Sequence, residues 1–188
     1  MDTLNKILLY LTILTLLIAT FVLYSVQRSK ETYLSTIPEQ KNMKITSPAF
    51  KNNGEIPAKY TCDGEDVNPP LEISGTPEIA KSLVLIVDDP DAPMGTWDHW
   101  LVWNINPGIS KIEEDSLPKG AVQGTNDFGK NPYGGPCPPS GTHHYHFKIY
   151  ALDKALDLEA SGNKSDLEKE MDGHILDWTE FVATYQRE

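Results

Sequence analysis

Cysteine is the first thing this chain is short of. It has two in 188 residues, Cys62 and Cys137, too few for a disulfide-dense scaffold or a structural zinc site of several thiolates. Basic residues are also scarce. Sixteen Lys+Arg against 27 Asp+Glu give a formal net charge of −11. Duplex DNA binding needs a basic face, so nucleic acid is not an expected partner. Long apolar runs are missing except for one near the amino terminus, which excludes a polytopic membrane protein. At 39% hydrophobic the chain is not a disordered one either. Its length leaves room for a single core-bearing domain and little more.

The one apolar run extends from Ile7 to Val26, 20 residues without a charge. About 20 such residues in a helix cross a hydrocarbon core of ~30 Å. The exit, Tyr24-Ser25-Val26-Gln27-Arg28, lacks the small-x-small pattern of a signal cleavage site. Residues 1–30 are therefore expected to be an uncleaved signal-anchor with one transmembrane helix. Residues 31–42 form a polar tether and residues 43–188 the folded domain. Arg28 and Lys30 after the span favour a cytoplasmic domain under the positive-inside rule, whereas signal-anchors with short tails export the domain attached to them. The expectation adopted is a single-pass membrane protein with its domain on the external side.

Within the domain, short apolar runs stand between proline-fixed loops, and all fourteen prolines lie between Pro38 and Pro139. Met43–Thr46, Ser82–Val87, His99–Ile105 and Tyr145–Leu152 read as strands, Ser82–Val87 as a central one buried on both faces. The proline-free tail reads differently. Ser165-x-x-Glu168 has capping-box spacing. Leu167, Met171, Ile175, Trp178, Val182 and Tyr185 then recur at steps of three and four, which predicts one long amphipathic helix. The expected fold is mainly β with a C-terminal helix packed on it.

Two loops concentrate reactive groups. One holds Asp88, Asp89 and Asp91 and leads to His99; the other runs from Gly135 to His146. In an extended segment His143 and Tyr145 face one side, His144 and His146 the other. A metal set from His144/His146, or from His143, His99 and a carboxylate, is conceivable, but no His-Glu-x-x-His is present. Ser140 lacks a nucleophile elbow. Cys137 lies six residues before His143, the pairing a thiol nucleophile would need. His174 reads as a packing or capping residue on the tail helix. The remaining reading is an anion pocket, in which imidazoles, a tyrosine hydroxyl and backbone N–H groups grip phosphate or carboxylate without chemistry. No catalytic residue, metal or cofactor is assigned.

Asp89-Pro90-Asp91-Ala92-Pro93, Trp97-x-His99-Trp100 and Gly135-Pro136-x-Pro138-Pro139-x-Gly141-x-His143-x-Tyr145 together resemble the phosphatidylethanolamine-binding protein family, the Raf-kinase-inhibitor-like proteins, and look closest to its prokaryotic branch. The resemblance runs from about Ile45 to Arg187. It implies an antiparallel Greek-key β-sandwich with a small anion pocket at one end. By position, Asp89, His99, His143 and Tyr145 would line that pocket, with Asp91, Pro93 and Trp97 shaping its mouth. A cis Ala92–Pro93 bond and a homodimer are further implications. The implied partner is an anionic small molecule or a phosphorylated group, and the implied role is a binder that modulates a kinase or other enzyme. An inhibitor or scaffold acting through its surface with a vestigial pocket, or a hydrolase using His143 or Cys137, are the rival readings. Asp98, beside the pocket histidine, is expected to weaken anion binding. Cys62 and Cys137 would pair in an oxidising compartment and stay free thiols in a reducing one.

Overall fold

The structure, a computed structural model, describes residues 18–25, 27–28 and 43–187. The chain divides into two units, Met1–Gln40 and Lys41–Glu188. In the first, residues 18–25 are helical, and Ser25 Oγ donates to the Val22 carbonyl at 2.8 Å. The expected span from Ile7 to Val26 lies mostly outside the described residues, and the tether 31–42 wholly so. Among the described residues no helix is long and apolar enough to cross a membrane.

The second unit is mainly β. Its described strands are β1 Lys44–Thr46, β2 Leu71–Ser74, β3 Ser82–Asp89, β4 Trp97–Ile105, β5 Lys111–Ile112, β6 Val122–Gln123, β7 Thr142–Leu152 and β8 Ile175–Gln186. They form a small sheet, β1-β2-β5, and a large one, β6-β4-β3-β7-β8. All pairings between these strands are antiparallel. The chain changes sheet at β2–β3, β4–β5 and β5–β6.

The large sheet is covered on both faces, which is why its central strand β3 is buried at every position and reads as a near-continuous apolar run. Toward the small sheet, Leu83, Leu85, Val87, Val102, Phe147 and Phe181 pack with Ile45, Leu71, Ile73 and Ile112. On the outer face, Val84, Ile86, Leu101 and Trp103 pack with Leu156, Leu167 and Met171. Each fully buried side chain of this size contributes about 1.5–3 kcal/mol of transfer free energy.

The long tail helix is not what forms. The helix spans Lys164–Met171, with Asn163 as N-cap and Asp166 completing the capping box, two residues before the Ser165/Glu168 pair. Asp172 and Gly173 end it, and Gly173 takes φ 74°, a conformation that costs glycine little. Residues 175–186 then pair with β7 along their length. Phe181, Ala183 and Tyr185 are buried while Ile175 and Trp178 are more than 40% exposed. The apolar stripe thus belongs to two elements. Leu167 and Met171 make one helical turn; the β-branched and aromatic remainder is a strand. His174 lies past the helix, its Nδ1 2.8 Å from Asp153 Oδ1.

Two β-bulges in β4 set the direction of its side chains. Leu83 and Leu85 face Ile105 and Val102, and Asn104, at φ 55°, sits in that irregularity. Val87 faces Trp100 while Asp88 faces Asp98, so His99 is the extra residue of the second bulge. A bulge re-aims a side chain. Here it turns His99 toward the inner face, with Trp100, and leaves Asp98 on the outer one.

Candidate functional site

The end of β3 and the starts of β4 and β7 meet at one rim of the large sheet, alongside the end of β8. Alternation places Asp89, His143 and Tyr145 on the inner face there, and the bulge adds His99. All four are under 7% exposed. Asp89 is the organiser. Its Oδ2 accepts from His143 Nδ1 at 2.7 Å, and its Oδ1 accepts the Asp91 N–H at 2.8 Å. His99 Nδ1 lies 2.6 Å from the Gly134 carbonyl. A carbonyl only accepts, so that nitrogen carries the proton. Both rings spend Nδ1 on the protein, which leaves Nε2 outside these two bonds.

The His99 ring stands edge-on to Tyr145, centroids 5.2 Å apart. The Tyr145 hydroxyl is buried with no hydrogen-bond partner among the described residues. A buried polar atom left unpaired costs about 1–3 kcal/mol, so each instance calls for an explanation. Burial, then the nearby Asp89 charge, push the phenol well above its ordinary value, which keeps it a neutral donor. Burial likewise lowers His99 below its ordinary 6.5, against the opposing pull of the Gly134 contact and Asp89. The cluster therefore offers one hydroxyl donor and two imidazole Nε2 atoms, each an acceptor on a neutral ring and a donor on a protonated one. That combination suits an oxyanion, or an oxyacid bearing one proton of its own.

The mouth differs in part from expectation. Asp91 is half exposed and points to β7, its Oδ2 accepting from the His144 N–H at 2.9 Å and His144 Nδ1 at 2.7 Å. Pro93 is exposed. No cis peptide occurs among the described residues, so Ala92–Pro93 is trans; the loop turns instead through Gly95, whose N–H donates to the Ala92 carbonyl at 3.1 Å. Trp97 stacks edge-on to Phe128 at 5.5 Å, and Phe128 in turn to His99 at 5.3 Å. Phe128 is a wall residue without any sequence signal. So is Asn126, whose amide donates to the His99 and Pro132 carbonyls at 3.0 and 2.8 Å. An Asn beside Asp in a Gly-containing stretch reads only as a turn.

Asp98 does not enter the pocket. On the outer face Lys164 Nζ lies 2.9 Å from Asp98 and 2.7 Å from Asp88, while Lys148 reaches Asp88 at 2.8 Å. Burial, with Asp127 and Asp88 nearby, holds the Asp98 carboxyl above its usual range despite Lys164. Lys164 itself is drawn down by burial but raised more by its two carboxylates, so it stays charged. The Asp98 carboxyl, expected beside the pocket, is thus paired with Lys164 on the other face of the sheet. His144 and His146 pair singly with Asp91 and Glu180. Among the described residues no group of three or more His, Cys, Asp or Glu could hold a metal. Cys137 is not a thiol: it is bonded to Cys62, Cα–Cα 5.5 Å, which leaves the Cys137 nucleophile without its sulfur anion.

A family model described as phosphatidylethanolamine-binding protein matches residues 46–186. The chain belongs to the phosphatidylethanolamine-binding protein family. Similar family members include a UPF0098 protein of Pyrococcus horikoshii, 52% identical over 157 residues and covering 79% of each chain. A UPF0098 protein of Chlamydia trachomatis is 44% identical, covering 78% of this chain and all of its own. Among solved structures, a phosphatidylethanolamine-binding protein homologue of Chlamydia trachomatis aligns with TM-score 0.76 at 44% identity, over 78% of this chain and 99% of that one. Escherichia coli YbcL, described as a member of the mammalian family, aligns with TM-score 0.74 at 32% identity over the same shares. The family assignment covers both loops that build the rim, and with them Asp89, His99, His143 and Tyr145.

Proposed function

We propose that the domain binds a small oxyanion, a phosphate or a phosphate-bearing headgroup, in the recess formed by Asp89, His99, His143 and Tyr145. The observation that carries this reading is the buried Tyr145 hydroxyl without a partner among the described residues, beside two imidazoles held through Nδ1. A ligand oxygen accepting from that hydroxyl would relieve its desolvation cost. The domain's 12 basic and 24 acidic groups, residues 43–188, make its own field repulsive to anions, so selectivity rests on these local donors. Modulation of a kinase or other enzyme would follow if the phosphate sits on a protein side chain.

The same reading includes a membrane tether through residues 7–26. It is supported by the 20-residue uncharged run and by the exposed apolar side chains of the helical residues, Phe21 at 71% and Leu23 at 70%. An external location is supported by the solvent-exposed disulfide, since such bonds persist chiefly in oxidising compartments.

The test is calorimetric titration of phosphate and of glycerophosphoethanolamine into wild type and His143→Ala. The variant is expected to bind neither while its far-ultraviolet circular dichroism stays unchanged. Equal binding by the variant sinks the assignment of the recess.

A further inference from the structure

The Gly134 carbonyl that orients His99 belongs to a segment, 133–137, held chiefly by a second loop, 58–66. Tyr133 Oη donates to the Tyr60 carbonyl at 3.0 Å. The Gly135 N–H donates to Asp66 Oδ1 at 2.6 Å, and the Cys62 N–H to the Pro136 carbonyl at 3.1 Å. A Cβ on Gly135 would lie 2.6 Å from the Tyr60 oxygen and 2.7 Å from Thr61 Cα, so the two backbones touch and only glycine fits. The covalent member of this clamp is the Cys62–Cys137 bond. Loop 58–66 is in turn fixed to the end of β8, where Tyr185 Oη donates to Asp63 at 2.9 Å and Arg187 forms an ion pair with the same carboxylate. Tyr185 faces His143 across the sheet.

Three features bear on what this clamp can do. Both cysteines are solvent-exposed, so a thiolate can reach either sulfur. Segment 133–137 carries Gly134, whose carbonyl holds His99 Nδ1 and whose N–H donates to the His99 carbonyl at 3.1 Å. At its start, Tyr133 borders a cavity of about 170 Å³ together with Asp66, Trp100 and Asp115, unfilled space beside the segment's anchoring ring.

We infer that the Cys62–Cys137 disulfide is a redox modification site that sets the affinity of the anion recess, a proposal that rests on the phosphate-binding reading above. The reductant is a small thiol or a protein dithiol. Its thiolate attacks one sulfur to give a mixed disulfide and a free cysteine thiolate. A second thiol then displaces the other cysteine. Two electrons and two protons pass to the protein, and the reductant leaves as its own disulfide. With the covalent link gone, segment 133–137 moves away from loop 58–66, the Gly134–His99 contact loosens, and the imidazole loses the orientation that presents Nε2.

The experiment uses the full chain in detergent. Phosphate is titrated by calorimetry before and after dithiothreitol, and the histidine ring nitrogens are followed by long-range 1H–15N correlation. His174, paired with Asp153, serves as the reference ring. The oxidised protein is expected to show a protected His99 Nδ1–H and to bind phosphate. On reduction, affinity falls roughly 10-fold and the His99 signal loses protection while His174 stays unchanged; reoxidation restores both. A Cys62→Ser/Cys137→Ser variant is expected to match the reduced form and ignore dithiothreitol. Should that variant fail to fold, the reversible reduction of wild type decides alone. An unchanged His99 signal and affinity on reduction overturn the control point. Failure of the oxidised protein to bind phosphate, with a His99 signal that still follows redox state, overturns the anion reading and the control of binding with it.

Discussion

The two faces of the large sheet meet the same rim in opposite ways. On the outer face Asp88 and Asp98 are buried among lysines, two ammonium groups for two carboxylates. On the inner face Asp89 is buried with an imidazole as its partner. Among the described residues no lysine or arginine is bonded to it, and a tyrosine hydroxyl is left unpaired. The residues are sequence neighbours, Asp88 beside Asp89 and Asp98 beside His99. Composition is therefore not what separates a structural cluster from the proposed binding recess. The difference is completeness: the outer face has satisfied its charges from within the protein, and the inner face has left donors over.

Four substitution experiments put this contrast at risk. The greatest loss is expected from Lys148→Met together with Lys164→Met. Two buried carboxylates then lack compensation, and urea unfolding should show a loss of about 3–5 kcal/mol. A loss below about 1 kcal/mol would mean that the outer cluster is not a closed structural unit. Tyr145→Phe should separate folding from binding. Removing a hydroxyl that has no partner leaves stability equal or slightly higher, whereas phosphate affinity drops about 10-fold, or roughly 1.4 kcal/mol. A variant that loses stability instead would show that the hydroxyl serves the fold.

A pH dependence ranks third. His99 is held below its ordinary 6.5 by burial, so the unfolded chain takes up a proton first. The stability it contributes is complete above pH 6.5 and declines as pH falls from there toward the lower folded value. Between pH 7.5 and 5.5 stability is expected to fall, by no more than about 1.4 kcal/mol per pH unit for this one group, a fall absent in His99→Gln and reduced by saturating phosphate, which favours the imidazolium. Denaturant midpoints across that range check the slope, and a loss that persists in His99→Gln assigns it elsewhere. Asp98→Asn should change least. The amide relieves a buried carboxyl whose ionised form is disfavoured while Lys164 keeps Asp88. Stability should change by less than about 1 kcal/mol and phosphate binding not at all, because Asp98 faces away from the recess.

Much of this contrast is already written in the chain, though unevenly. β3, β4 and β7 are legible as apolar runs because both faces of the sheet are covered. The separation of His143 and Tyr145 from His144 and His146 follows from strand alternation alone. β8 is hidden because Ile175, Trp178, Val182 and Tyr185 happen to fall at helical spacing. The competing signals, Gly173 and the buried alternation Phe181-Ala183-Tyr185, are local and shorter. Within the recess the loop motifs supply Asp89, His99, His143 and Tyr145. Lys164, Asn126 and Phe128 are out of reach, since each acts across 27 to 76 positions of chain or through a ring contact. Asp98 misleads for a related reason: adjacency in sequence is not adjacency in space.

The bulge at His99 works as a phase shift. β4 carries its side chains with a period of two, and one supernumerary residue resets the count for everything that precedes it. With the reset, His99 joins the inner face and Asp98 the outer. Without it, the same letters would send the imidazole among the lysines and the carboxylate into the recess, exchanging a donor for a repulsive charge. The stretch Trp97-Asp98-His99-Trp100 is therefore informative only together with its frame, and a single-residue insertion or deletion between Asp98 and Trp100 would be a larger lesion than replacement of either residue.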